Sequence, residues 1–309
     1  MEANLCLGPR FFSPDCLMSV GDVVREQTKV STVMNASSDH GEFFLQQIWD
    51  YMRATNVLQS PVLPASFAFL THVLLCLPYL LLDMLVGFSP QVQQWRISAP
   101  PPTLQQWFFC FGRVLRAYLT AVLPVTALLQ VLGSPVMPEH APSCWQLVVE
   151  VSVCLLLFDA FFFAWHLFMH KTPWLYRSIH QAHHQQRQPF ALTAQDAAGA
   201  ELLSLLLLAM ASARLVGCHP LSETVFHLIN TWLAVEDHCG YNLPWALHRL
   251  LPLMGGAPYH QDHHIFFRGN YAPYFSHWDR LFGTYYSSVK EHYERCPSAE
   301  KRRLNIKDE

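Results

Sequence analysis

The sequence predicts an all-α protein: a bundle of membrane-spanning helices with a cytosolic, histidine-rich cap that holds two metal ions. Three observations carry this expectation. The chain has 309 residues, 51% hydrophobic and 14% charged, with a mean hydropathy of +0.16, whereas an average soluble domain has about 25% charged residues. Apolar runs recur at lengths suited to a hydrocarbon core, which takes about 20 helical residues to cross. There are also 17 histidines, more than half of them between Trp165 and His264. A net charge of −3 without a basic cluster lacks the footprint of a nucleic-acid binder, so no nucleic-acid partner is expected. The nine cysteines are scattered and form no CxxC pair, which reads as buried thiols.

Taken in order, residues 1–61 are polar and mixed in charge, without the basic start and early apolar core of a cleaved signal peptide. They read as an N-terminal tail outside the bilayer, carrying a glycosylation sequon at Asn35. The first span, from Val62 to Phe88, contains Pro64, Pro78 and Asp83 and so predicts a kinked, packed helix. A second run from about Trp107 to Gly133 is interrupted by Arg113 and Arg116, which are expected to snorkel from one end. A third runs from about Trp145 to Trp165. The fourth begins at Glu201 and, after His219 and Pro220, is followed by a shorter apolar stretch from Leu221 to Val235, so the two predict a hairpin. Lys171, Arg177 and Arg187 follow the third span, while the loop of about residues 134–144 has no Lys or Arg. The positive-inside rule then places the histidine-rich region in the cytosol and the N-terminal tail in the lumen. Residues 62–289 form the expected membrane-embedded unit and 290–309 a charged C-terminal tail.

The histidines fall into boxes. His166 and His170 stand four residues apart at the end of the third span and share one helical face. His180, His183 and His184 follow as HQAHH, and HQDHH repeats that spacing with His260, His263 and His264. Between them lie His238 and Asn242, also four apart, and an amide oxygen can ligate a metal. Imidazole is the commonest metal-ligating side chain, and eight histidines in three boxes exceed the needs of one four-coordinate zinc, so two metals are the economical reading. Iron is preferred over zinc because non-haem iron is a common solution to dioxygen chemistry. His40, His72, His140, His219, His227, His248 and His292 have no box partner and read as structural, while His277, in SHWD, suits a supporting role. Trp165, Phe168, Trp174 and Trp232 are candidates for lining a lipid cavity, set against ordinary packing. A membrane metalloprotease is disfavoured because no HExxH is present. A metal transporter would need ionisable groups across the bilayer rather than clustered on one side.

HxxxH, HxxHH and a late HxxHH in an apolar chain resemble the fatty acid hydroxylase superfamily, which also includes sterol desaturases and methylsterol oxidases. The segments WHLFMHKTPWLYRSIHQAHHQ, GCHPL, VEDHCGYNLPW, HRLLP and NYAPYFSHWDRLFGT carry the resemblance, which runs from about Phe43 to Thr284. It implies a di-iron centre, dioxygen, and electrons from NADPH through a separate reductase. It further implies the endoplasmic reticulum membrane and insertion of one oxygen atom at carbon 25 of cholesterol. Related lipid oxidations, namely 4-methylsterol oxidation, ring desaturation and fatty acyl hydroxylation, share the same boxes. The resemblance carries the ligand role onto His166, His170, His180, His183, His184, His260, His263 and His264, and a further family HxxxH pair onto His238 and Asn242, with Asn in place of the second His.

Overall fold

The computed structural model describes residues 40–98 and 100–287. The sequon at Asn35 and the tail 290–309 lie outside them. The architecture is helical throughout, with two isolated β-bridges as the extended pairing among the described residues.

Residues 40–54 form helix α1, within the segment read as a tail. It docks through Trp49, which is fully buried. The indole Nε1 donates to the Pro138 carbonyl at 2.9 Å, and its ring meets the edge of His219 with centroids 4.5 Å apart. An indole buries a large apolar area while needing one acceptor, so a single residue can anchor a short helix.

Four helices are long and apolar enough to cross a membrane: α2 (Leu63–Leu85), α3 (Leu104–Leu132), α4 (Cys144–Lys171) and α5 (Gly199–Val216). α3 opens on a capping box, Thr103 with Gln106, and carries a π-turn at Tyr118–Val122. Pro124 explains the turn, since its ring would strike the carbonyl of Thr120 and it has no N–H to donate. α4 is capped by Ser143 and ends before Pro173, which disfavours helical backbone in the residue ahead of it. Gly217, in the left-handed region at φ 70, ends α5, and Pro220 opens α6 (Pro220–His238). These two elements produce the expected hairpin. Two shorter helices follow, α7 (Gly256–Phe266) and α8 (His277–Leu281).

α6 is the central element, packed against α2, α4 and α7. Phe158 and Cys154 of α4 meet Ala209 and Ala213 of α5 and Phe226 and Leu233 of α6 in one buried cluster. The outward faces carry Phe67, Leu70, Leu74, Leu81, Phe108 and Leu207, the surface a lipid environment tolerates and water does not. Cys154 and Cys218 bring their sulfurs to 3.0 Å where the hairpin turn meets α4.

One end of the bundle is closed by α1, the loop before α4 and the hairpin turn. The opposite end is tied by buried charge. Asp83 at the end of α2 pairs with Arg96 at 2.5 Å and accepts from Trp107 Nε1 at 3.0 Å and Tyr241 Oη at 2.7 Å. Arg113, whose side chain stays 41% exposed, meets Asp196 through Nε at 2.9 Å and a second nitrogen at 2.5 Å. A fork of two parallel bonds holds a guanidinium more firmly than water does.

Candidate metal centre

Nine histidines converge at the charged end in two adjoining groups. His166, His170, His180, His184 and His263 form one, and His183, His238, His260 and His264 the other, the ligand atoms of each lying within 4.8 Å of one another.

Local backbone distributes them. His166 and His170 project from the last turns of α4. His180 ends a π-turn and His183 and His184 begin a 3-10 turn, so HQAHH is not one regular helix. His180 and His184, four apart, enter the first group, and His183 is turned to the second. On α7 the pattern is exchanged: His260 and His264 share the second group, while His263 joins the first. Neighbouring helical positions differ by about 100° around the axis, so adjacent histidines of an HH pair are aimed at different centres.

Within the first group Nε2 of His166 and of His184 each lie 2.9 Å from Nε2 of His180, and Nε2 of His170 and of His263 lie 3.2 Å from that of His184. In the second, successive Nε2 atoms of His183, His238, His260 and His264 are 3.2, 3.1 and 3.1 Å apart. Nitrogens about 2.1 Å from a shared ion and at right angles stand about 3.0 Å apart, so the spacing fits a metal. The outer nitrogens explain why Nε2 points inward. Nδ1 of His166 donates to the Tyr271 carbonyl at 2.7 Å, of His238 to Ala234 at 2.8 Å, of His263 to Gly269 at 2.8 Å and of His264 to Gln186 at 3.1 Å. A proton fixed on Nδ1 leaves Nε2 with its lone pair. Several lone pairs facing one another repel unless a cation lies among them, and the residues present therefore fit two metal ions.

Electrostatics favours the same state. Burial, and after it the neighbouring imidazoles, holds His180, His260, His263 and His264 well below the usual histidine range, and burial brings His183 down to about 4. These rings are neutral at neutral pH, the form that binds metal.

Asn242 does not join the centre. α6 ends at His238, Gly240 turns the chain at φ 76, and the four-residue spacing is no longer helical. Its Oδ1 instead accepts from His248 Nε2 at 2.9 Å and Arg249 Nε at 2.8 Å. Two supporting carboxylates escaped sequence reasoning. Glu201 accepts from His180 Nδ1 at 2.9 Å with both side chains buried, and the signal available was an acidic residue at the head of an apolar helix. In SHWD the supporting residue is Asp279 rather than His277. Asp279 accepts from the backbone of Tyr271 and Ala272 at 2.9 and 2.8 Å, from Thr284 Oγ1 at 2.6 Å and from Tyr259 Oη, holding the loop whose Tyr271 carbonyl orients His166.

A cavity of about 660 Å³ begins at the centre, where His166, His180, His183, His238 and His260 line it, and extends between α2, α3, α4, α5 and α6. Phe69, Tyr118, Phe158, Phe162 and Tyr274 form aromatic parts of its wall. Trp165, Phe168, Trp174 and Trp232 are not among the lining residues: Phe168 and Trp174 face outward, and Trp165 packs on His166 and His180.

Fold and site together define a histidine-box membrane protein, with cradles for two metal ions at the end of an apolar cavity. The fatty acid hydroxylase profile matches residues 151–284, which include all nine histidines. The chain is 44% identical over 248 residues to human (Homo sapiens) cholesterol 25-hydroxylase, covering 79% of this chain and 91% of that protein. It is 43% identical over 247 residues to the Mus musculus cholesterol 25-hydroxylase, with 79% and 83% covered. A methylsterol monooxygenase of Aspergillus fumigatus is 34% identical over 235 residues, with 70% and 75% covered. No solved structure matches. The chain belongs to the fatty acid hydroxylase family and is an enzyme of the oxygenase kind.

Proposed function

We propose that the protein hydroxylates the side chain of cholesterol at carbon 25 to give 25-hydroxycholesterol. It does so with dioxygen, two iron ions and electrons that reach the site from NADPH through a separate electron-transfer protein. The observation that carries this reading is the cavity, because it leads from the nine-histidine centre into the membrane helices, where an apolar substrate resides. The proposed catalytic unit is residues 62–289, in the endoplasmic reticulum membrane with its histidines toward the cytosol and Asn35 glycosylated in the lumen.

Iron bound in the two groups supplies the dioxygen activation that an unactivated C–H bond needs and that no side-chain acid, base or nucleophile provides. The two histidine groups would hold the ions, and Glu201 and the Tyr271, Ala234, Gly269 and Gln186 carbonyls keep Nε2 of His180, His166, His238, His263 and His264 aimed inward. The walls of the cavity exclude water and restrict which carbon reaches the centre, since apolar side chains from five helices leave room for a lipid of sterol size.

Expressed in cells that lack the activity, the protein is expected to convert cholesterol to 25-hydroxycholesterol, and His264→Gln to abolish the product. Lipid mass spectrometry that shows a 4-methylsterol oxidation product or a hydroxylated fatty acid instead, with no side-chain oxysterol, overturns the substrate while leaving the metal centre in place.

A further inference from the structure

We infer that Glu223 and His227, on α6 at the far end of the cavity, bind the ring hydroxyl of the sterol and so set which side-chain carbon reaches the metals. The inference rests on the sterol reading above and adds the residues that would recognise that substrate.

One face of α6 runs the length of the cavity. Glu223, His227, Thr231, Ala234 and His238 all line it, at the steps of three and four residues that keep side chains on one helical face. The helix is therefore a ruler. At about 1.5 Å per residue, His227 lies about 16 Å and Glu223 about 22 Å along the axis from His238. α5 provides an independent measure: Glu201 touches His180 at one end, and Arg214, which also lines the cavity, lies about 20 Å further along its axis. These spans suit a sterol lying lengthwise, with the side chain at the histidines and the ring hydroxyl at the other end.

The chemistry at that end fits a hydroxyl. Leu205, Leu206, Ala209, Val122, Leu129 and Phe158 make much of the intervening wall apolar, with Thr126, Asn230, Thr231 and Asp237 among them, and polar groups at the far end are costly unless something pairs with them. His227 Nε2 and Glu223 Oε1 are 3.9 Å apart, too far for a hydrogen bond to each other. Both nonetheless keep part of their surface open, 33% and 26% of the side chain, as residues facing a cavity do. A hydroxyl is donor and acceptor at once. Seated between them, it donates to the carboxylate and accepts from the imidazole N–H. Because the sterol rings are rigid, fixing the hydroxyl fixes how far the side chain extends toward the centre.

The test compares cholesterol with cholest-5-ene, the same sterol without the ring hydroxyl, in membranes containing the full chain and a reductase. The wild-type protein should favour cholesterol by about tenfold to a hundredfold in kcat/KM, the discrimination expected when buried polar groups lose their partner. Glu223→Leu and His227→Leu should bring that ratio toward parity, chiefly through KM for cholesterol, and should yield products hydroxylated at neighbouring side-chain carbons. Glu223→Gln, which keeps an acceptor oxygen, should retain part of the preference, and metal content of each variant reports on folding. A wild-type protein indifferent to the hydroxyl, or variants that lose both substrates equally at full metal content, overturn the inference. If the wild-type chain hydroxylates neither sterol, the sterol reading itself fails, and that failure is visible before any variant is made.

Discussion

The hydrogen bond on the outer nitrogen of an imidazole decides which nitrogen faces a metal, and at His180 that bond goes to a carboxylate. Glu201 is buried at the head of an apolar helix, a position where an ionisable side chain is costly and persists for a reason. By accepting the Nδ1 hydrogen it strengthens the electron donation from Nε2 of His180, which lies against both His166 and His184 in the five-histidine group. Glu201→Gln keeps the shape and replaces the carboxyl acceptor with a weaker amide one. The expected result is a fall of about 10- to 100-fold in metal affinity at that group, read by elemental analysis after a graded chelator challenge. Retention equal to wild type would assign Glu201 a packing role only.

The HxxHH element divides its histidines between two centres, and the division is opposite in the two boxes that carry it. His184 and His263 belong to the first group, His183 and His264 to the second. Adjacent residues in one box would therefore serve different ions. His183→Gln should remove the ion of the second group and His184→Gln that of the first, each variant keeping about one ion of two, and the double variant should keep neither. Membrane insertion should persist in all three, since it depends on apolar spans that these changes leave intact. Full occupancy in the double variant would refute the assignment. Simultaneous loss of both ions from each single variant would show the groups to be one unit.

At the scale of the molecule, the two ends of the bundle differ in kind. The histidines, the Asp83–Arg96 pair and the Arg113–Asp196 pair lie at one end, and α1, the loop after α3 and the hairpin turn at the other. Lys171, Arg177 and Arg187 stand on the histidine side, so that end is expected in the cytosol. A sequon placed in the loop near Gln186 should remain unglycosylated, whereas the natural sequon at Asn35 should add a glycan that Asn35→Gln removes. Efficient glycosylation near Gln186, seen as an enzyme-sensitive shift in mass, would invert the orientation.

The membrane spans, the hairpin and the histidine boxes were legible in the chain because each is a local pattern: an apolar run of bilayer length, a His-Pro break between two apolar stretches, histidines at helical spacing. That spacing shows which residues share a face, and it holds only while the helix continues. At His238 the helix stops, so Asn242 leaves the face on which its spacing placed it. What the face meets is a property of packing. The exchange of ligands between the two groups, the approach of Glu201 to His180, and the loop that Asp279 ties beneath His166 join residues distant in sequence. The cavity wall likewise consists of Phe69, Tyr118 and Phe158 rather than the tryptophans beside the boxes. The sequence by itself determined a membrane protein with clustered histidines at metal-ligand spacing. The tertiary structure decided which histidines share a group and which residues enclose the cavity, because those contacts arise only when faces of separate helices are brought together.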